Sequence, residues 1–354
     1  MIVVLKPGTS SEEIKRISNE FNSRKITPEK SAYHHKAVIG LVGDTAGIDP
    51  RQIQILSSFI EQVLKVDKPF KRASKEFRYG KPSEVVVATP NGSVTFGQNH
   101  PVVIVAGFCS VENEEMILET ARVVKATGAQ FLRGGAYKPR TSPYAFQGHS
   151  ESALGLLALA REATGLGIIT EIMDTDDLEK VASVADVLQI GACNMQNFSL
   201  LQKVGATGKP VLLKRGPVAT IEEWLMAAEY ILAAGNPNVI LCERGIRTFD
   251  RQYTRNTLDL TAILVLRTLT YLPIMVDPSH GTGRAEYVPA MSIAAIAVGA
   301  DSLMIEVHPN PAEAFSDSPH SLCLEQYQEL IQEIAVISKA VGRCFQTGDV
   351  AKIV

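Results

Sequence analysis

The chain has 354 residues, 45% of them hydrophobic and 21% charged, with a formal net charge of −3. This is the composition of an ordinary globular protein, long enough for one large domain and a small one. The charge balance gives no electrostatic reason to expect nucleic acid or an anionic membrane as partner. Five dispersed cysteines with no CxxC pair argue against a disulfide framework and fit a reducing compartment.

The opening run Met1-Ile-Val-Val-Leu-Lys6 is too short for a signal peptide, and no other window reaches the roughly 18 apolar residues that a membrane span needs. A cytoplasmic location is the expectation. Residues 1–67 read as a small domain. Strands are predicted over 2–6, 24–33, 36–43 and 61–67. Helices are predicted from Ser10/Ser11, with Glu12 and Glu13 in the first turn, to Asn22, and over 49–58. The order strand-helix-strand-strand-helix-strand is that of a ferredoxin-like sandwich. Residues 68–83 are polar and basic, but neighbouring acids Asp67, Glu76 and Glu84 dilute the charge, so an interdomain linker is expected. Pro90-Asn91-Gly92 then joins strands over 84–89 and 93–96 into a hairpin.

From Pro101 the pattern becomes regular. Apolar, β-branched runs begin near Val102, Ala129, Gly167, Val187, Pro210, Asn238, Pro273 and Ser302, spaced 20 to 38 residues apart with helical patterns between them. Ser110, followed by Glu112, Glu114 and Glu115, is expected to open the first of these helices. Thr220-Ile-Glu-Glu223 is a capping box for a helix ending at Gly235, and 325–341 carries apolar residues at helical spacing. Runs apolar on both faces that alternate with amphipathic helices imply a parallel sheet. Eight such units predict an α/β fold, a (β/α)8 TIM barrel within residues 84–354, preceded by the small ferredoxin-like α+β domain. An open doubly wound sheet is the alternative.

Barrel enzymes carry their chemistry at the C-terminal strand ends. The eight runs end in Cys109, Arg133, Glu171, Asn194, Lys214-Arg215, Glu243-Arg244, Asp277-Pro-Ser-His280, and Glu306 with His308, Asp317 lying just beyond. Arg133, Lys138, Arg140, Lys214, Arg215 and Arg244 are six cations around one mouth, so one or more phosphorylated or carboxylated ligands are expected. Cys109, His280, Glu306 and Asp317 come from strands that become adjacent when the barrel closes, and form a credible site for one divalent transition metal. Alone, each has a plainer reading: a core thiol, a satisfied strand-end histidine, a helix cap. Two nucleotide motifs fail. His280-Gly-Thr-Gly-Arg-Ala285 lacks the last glycine of GxGxxG, and Gly205-Ala-Thr-Gly-Lys209 is followed by Pro210 where a P-loop needs Ser or Thr. The lone Trp224 is expected to pack a helix.

Leu132-Arg-Gly-Gly-Ala-Tyr-Lys-Pro-Arg-Thr-Ser-Pro143, Leu213-Lys-Arg-Gly216, Cys242-Glu-Arg-Gly245, Val276-Asp-Pro-Ser-His280 and Ile305-Glu-Val-His-Pro309 together resemble 3-deoxy-D-arabino-heptulosonate-7-phosphate (DAHP) synthase of the type I beta branch. Residues 1–67 resemble the ferredoxin-like extension of some members. The resemblance implies condensation of phosphoenolpyruvate with erythrose 4-phosphate, the first step of the shikimate route to aromatic amino acids. It implies Cys109, His280, Glu306 and Asp317 as ligands of one divalent ion (manganese, iron, cobalt or zinc). It further implies Arg133, Lys138, Lys214 and Arg244 around phosphoenolpyruvate, Arg140, Thr141 and Ser142 around erythrose phosphate, and Arg215 among the substrate-binding residues. Lys138, Cys109 and His280 are the expected catalytic residues. Glu171 and Glu243 are expected to orient water or neighbouring cations.

The nearest alternative is the sister 3-deoxy-D-manno-octulosonate-8-phosphate synthase, which takes arabinose 5-phosphate. Its loop has Lys-Ala-Asn-Arg-Ser where this chain has Lys138-Pro-Arg-Thr-Ser142, and many of its members replace the metal-ligand cysteine by asparagine. A non-catalytic phosphate sensor is the remote alternative; it should have lost a ligand or a lysine, and none is missing. The resemblance also implies a homotetramer. For the N-terminal domain two readings stand: inhibition by phenylalanine or tyrosine, or assembly of the oligomer.

Overall fold

The computed structural model describes residues 1–23, 26–33, 36–43, 45, 47–65, 68–78, 81–137, 144, 148, 150–250, 252–316, 318–346 and 348. They form two compact units: Met1–Pro82 with Thr268–Tyr271, and Ser83–Arg267 with Leu272–Val354. Among the described residues no helix is long and apolar enough to cross a membrane.

In the first unit β1 (Ile2–Leu5), α1 (Ser11–Asn22), β2 (Thr27–Tyr33), β3 (Lys36–Val42), α2 (Pro50–Gln54) and β4 (Ile60–Leu64) build a sheet of order β2-β3-β1-β4. This is the predicted ferredoxin-like arrangement. Strand alternation puts Val3 and Leu5 on one face with Ile17 and Phe21 of α1 and Ile53 of α2. Ile2 and Val38 face the other way, where Leu64 and Phe77 pack against them. Ser10 caps α1 by accepting from the Glu13 amide, as its sequence predicts. α2 stops at Gln54, short of the predicted 58. Ser57 accounts for the difference: its hydroxyl donates to Glu13 Oε1 at 2.5 Å and accepts from the Phe59 amide at 3.2 Å, a local turn that competes with helix. Residues 68–82, read from sequence as linker, cluster with this unit, and Phe70 and Ala73 are buried.

The second unit opens with a hairpin of β5 (Val85–Thr89) and β6 (Gly92–Phe96), whose turn needs Gly92 at φ +114°. Eight parallel strands follow: β7 (Val103–Ser110), β8 (Phe131–Gly135), β9 (Gly167–Ile172), β10 (Val187–Ile190), β11 (Val211–Lys214), β12 (Val239–Glu243), β13 (Ile274–Val276) and β14 (Ser302–Glu306). Each pairs with the next, and β14 closes on β7 from Ser302↔Val103 to Glu306↔Gly107. The predicted barrel is therefore present. Helices α3 (Glu114–Ala126), α4 (Ser150–Thr164), α5 (Leu178–Val184), α6 (Phe198–Ala206), α7 (Ile221–Ala233), α8 (Thr261–Leu269), α9 (Pro278–Thr282), α10 (Val288–Ala297) and α11 (Leu324–Ala340) complete the unit.

Two local readings fared differently. The capping box at Thr220 and Glu223 opens α7, and Trp224 is fully buried, donating from Nε1 to the Leu213 carbonyl at 3.2 Å. Ser110, by contrast, does not open α3. It remains in β7, and Asn113 caps the helix by accepting from the Met116 amide at 3.0 Å.

The barrel interior is one apolar cluster. Val103, Val105, Phe131, Ile169, Val187, Leu212, Ile240, Cys242, Met275 and Met304 fill it, and Val85, Val87 and Phe96 of the hairpin plug its N-terminal end. Side chains two apart on a strand share a face. The next inward residues toward the C-terminal end are therefore Arg133, Glu171, Gln189, Lys214, Arg244, Asp277 and Glu306. Cys109 joins them from β7. An apolar floor thus passes into a charged layer within one residue pair of each strand.

Candidate active site

Cys109 reaches this layer through a break in strand regularity. Phe108 pairs with Gly134 and Ser110 with Gly135, so Cys109 is the extra residue of a bulge, a device that re-aims a side chain. Gly107, just before it, has φ +142°, and a Cβ there would lie 2.2 Å from the Arg133 carbonyl oxygen. Only glycine lets β7 and β8 approach so closely. The Phe108 carbonyl in turn accepts from Arg133 Nη1 at 2.7 Å.

Cys109 Sγ lies 4.0 Å from His280 Nε2, which lies 3.6 Å from Glu306 Oε2. Ligand atoms of these three buried residues all fall within 4.8 Å of one another. The donor set fits a divalent transition metal. Sulfur, imidazole nitrogen and carboxylate oxygen converge, and bonds of about 2.0–2.3 Å would span the gaps after small adjustments. His280 is held toward its neutral form, the form a metal could bind. Burial pulls its pKa down to about 4, with Lys214 adding to the effect and Asp277 and Glu306 opposing it. Its Nδ1 lies 2.8 Å from Asp277 Oδ2, which aims Nε2 at the cluster, the usual support for a metal-ligating histidine. Although burial opposes ionisation of Glu306, the neighbouring His280, His320 and Arg133 hold its pKa at about 2.

The cations of the mouth are less exposed to one another than the sequence suggested. Lys214 Nζ meets Asp277 Oδ2 at 2.5 Å, and Arg133 Nη1 meets Glu306 Oε1 at 3.5 Å. Arg133 is charged despite burial, because Cys109, Glu306, Glu171 and Asp277 all surround it. Arg244 is 7% exposed, and among the described residues no carboxylate pairs with it. Burial lowers its pKa, Asp277 raises it, and Arg255 lowers it further.

Arg215 lies on the other parity from Lys214 and does not share the inward layer. Nη1 meets Glu243 Oε2 at 2.9 Å and Asp259 Oδ2 at 3.0 Å, Nε donates to the Ala219 carbonyl, and the guanidinium lies 5.8 Å from the Trp224 ring. Local acids therefore absorb Arg215, which removes it from the argument that six crowded cations demand a ligand. Glu243 shares this outward position, accepting from Arg215 and the Gly245 amide. Asn194 sits in a 3-10 turn after β10 and donates to the Met173 carbonyl; the inward polar residue of that strand is Gln189, which donates to Glu171 Oε2 at 3.0 Å. His308 turns to Glu112 Oε1, 3.5 Å away, and packs edge-on against Phe108.

Sequence reasoning passed over Asp277 as a support and missed Gln189 and His320. A strand-parity count from the apolar core finds the first two; no local signal marks His320. Lys138, Arg140, Thr141, Ser142 and Asp317 lie outside the described residues.

Residues 83–340 match the DAHP synthetase I family and residues 1–68 the DAHP synthase ferredoxin-like domain. The chain is 47% identical over 342 residues to the phospho-2-dehydro-3-deoxyheptonate aldolase of Thermotoga maritima, covering 97% of this chain and 99% of that one. It matches the crystal structure of the Thermotoga maritima phospho-2-dehydro-3-deoxyheptonate aldolase (DAHP synthase) with a TM-score of 0.76 at 45% identity, over 98% and 99% of the two chains. A 2-dehydro-3-deoxyphosphooctonate aldolase of Syntrophotalea carbinolica is 35% identical over 266 residues, 70% of this chain and 95% of that one. With a family match across the barrel and a relative similar over nearly its whole length, this chain belongs to the DAHP synthetase I family.

Proposed function

We propose that the chain joins phosphoenolpyruvate, D-erythrose 4-phosphate and water into DAHP and phosphate, the entry step to aromatic amino acids. The observation that carries this reading is the inward layer itself. Arg133, Lys214 and Arg244 stand at one barrel mouth beside a Cys109/His280/Glu306 cluster, on the frame of the family.

A divalent metal held by Cys109, His280, Glu306 and, by the resemblance, Asp317 would act as the Lewis acid that polarises the aldehyde oxygen. Arg133, Lys214 and Arg244 bind the phosphate and carboxylate of phosphoenolpyruvate, since fixed cations in a dry pocket need no reorganisation to hold an anion. They also hold its C3 against the aldehyde carbon, turning an encounter of two solutes into a positioned reaction. Carbon–carbon bond formation at C3 leaves C2 electron-poor, water adds there, and phosphate departs by C–O cleavage. Within the layer the three cations Arg133, Lys214 and Arg244 face three carboxylates, Glu171, Asp277 and Glu306. By the resemblance, Lys138, Arg140, Thr141 and Ser142, which follow β8 in the sequence, would complete the reading, Lys138 serving phosphoenolpyruvate and the others the erythrose phosphate.

Phosphoenolpyruvate loss followed by its ultraviolet absorbance, with each aldose and with chelator, tests the proposal. Consumption should require erythrose 4-phosphate, stop on chelation and return with manganese, iron, cobalt or zinc. Faster consumption with arabinose 5-phosphate would transfer the chain to the sister activity, and a rate indifferent to exhaustive chelation would remove the metal.

For the N-terminal unit the reading is a site for phenylalanine or tyrosine that inhibits the enzyme. Its βαββαβ sheet and its match to the family's ferredoxin-like domain support this. Titrating both amino acids against the full chain and against a chain lacking residues 1–67 should show inhibition in the first alone. Equal inhibition of both would exclude this unit as the site, and inhibition of neither would leave it an assembly domain.

A further inference from the structure

The geometry points to His320 as a positioning residue that orients the Glu306 carboxylate for metal binding, a role that rests on the metal reading above. His320 is 2% exposed, and its Nε2 lies 2.8 Å from Glu306 Oε2, the oxygen that also faces His280. The imidazole rings of His280 and His320 stand 5.1 Å apart. His320 is outside the set of three whose ligand atoms lie together, and the side chain it meets is the Glu306 carboxylate.

The backbone holds it there. The short 3-10 turn Ser318–His320 leads into Leu322, which bridges Val307 in parallel. The Leu322 amide donates to the Glu306 carbonyl at 3.0 Å, and the His308 amide donates to the Leu322 carbonyl at 2.9 Å. This stretch therefore lies along the end of β14, and its main-chain bonds bring His320 beside Glu306. The remaining Glu306 contacts come from elsewhere: Arg133 approaches Oε1 at 3.5 Å, and the Glu306 amide donates to Ser279 Oγ at 3.0 Å. His320 thus restrains one carboxylate oxygen and Arg133 the other. A ligand carboxylate fixed on both oxygens needs no reorientation when the ion arrives, and loss of such a support typically lowers metal affinity by about 10–100-fold.

The test measures Co²⁺ affinity of the chelated full-length protein by competition with a chromophoric chelator, and records the visible cobalt bands. His320→Ala and the space-filling His320→Leu should each bind Co²⁺ about 10–100-fold more weakly, with altered band intensities. His320→Gln keeps an N–H donor and should stay within about threefold of the parent on the same reasoning. Wild-type affinity and spectrum in either folded loss variant would overturn the positioning role. Glutamine as weak as leucine would overturn the polar contact with the carboxylate as its means. Absence of Co²⁺ binding by the unaltered protein would instead defeat the metal reading itself, which separates the two failures.

Discussion

Asp277→Asn is expected to destabilise the barrel by about 3–5 kcal/mol, the scale of breaking a buried ion pair from one side. Asp277 is fully buried and accepts from Lys214 Nζ at 2.5 Å and from the His280 amide at 2.9 Å, with His280 Nδ1 at 2.8 Å. Asparagine keeps one acceptor oxygen, but its amide nitrogen must then face either the Lys214 ammonium or the His280 N–H, donor against donor. Lys214 is left charged, buried and without its counter-ion, a penalty that no solvent relieves at 3% exposure. The lone tryptophan makes the measurement clean. Trp224 is fully buried on α7 of the barrel unit, so its fluorescence in a urea titration reports barrel unfolding without a signal from the other unit. Turnover should fall as well under the proposed function, because the same substitution releases both Lys214, the proposed substrate cation, and His280, the candidate metal ligand. A midpoint within experimental scatter of the parent, at unchanged turnover, would show that the Asp277 charge supports neither.

Cys109→Ala should separate chemistry from stability in the opposite sense. The thiol is one of three clustered donor groups, held inward by the β7 bulge and by the close approach that Gly107 allows. Its removal deletes a candidate metal donor outright, so under the proposed function turnover should drop by more than the roughly 10–100-fold expected when only a supporting partner is lost. Stability should change little, by about 1 kcal/mol, on the scale of one buried methylene. Paired metal analysis and steady-state assay decide the matter. A near-normal rate with normal metal content would make Cys109 a core residue and nothing more. Together the two variants distinguish the expected roles within the layer: loss of both stability and turnover for Asp277, and loss of turnover with little loss of stability for Cys109.

Much of this protein is determined by local sequence. Eight apolar runs separated by amphipathic segments specify a parallel sheet covered by helices, because strands apolar on both faces must be buried on both, and the count of eight favours closure into a barrel. The Thr220/Glu223 box and the Ser10 cap are equally local, since each side chain meets a backbone amide three residues away. The candidate residues Cys109, Arg133, Lys214, Arg244, His280 and Glu306 were likewise legible, as polar residues where apolar strands stop. What the linear order did not decide is which side of the wall each residue occupies. Lys214 and Arg215 are neighbours in the chain, yet strand alternation sends one into the mouth and the other to Glu243 and Asp259. Asn194 was taken for the end of its strand when Gln189 holds the inward position. Ser110 has the local pattern of a helix cap, but pairing with Gly135 of β8, beyond the bulge at Cys109, keeps it as the last residue of β7, a contact between segments separated in sequence. His320 carries no motif, and is brought to Glu306 only when the chain returns along β14 through the bonds of Leu322. Periodicity and composition determine the elements, because those depend on neighbours a few residues away. Charge pairing and the support of the metal cluster belong to the tertiary structure, because their partners meet only when the barrel closes.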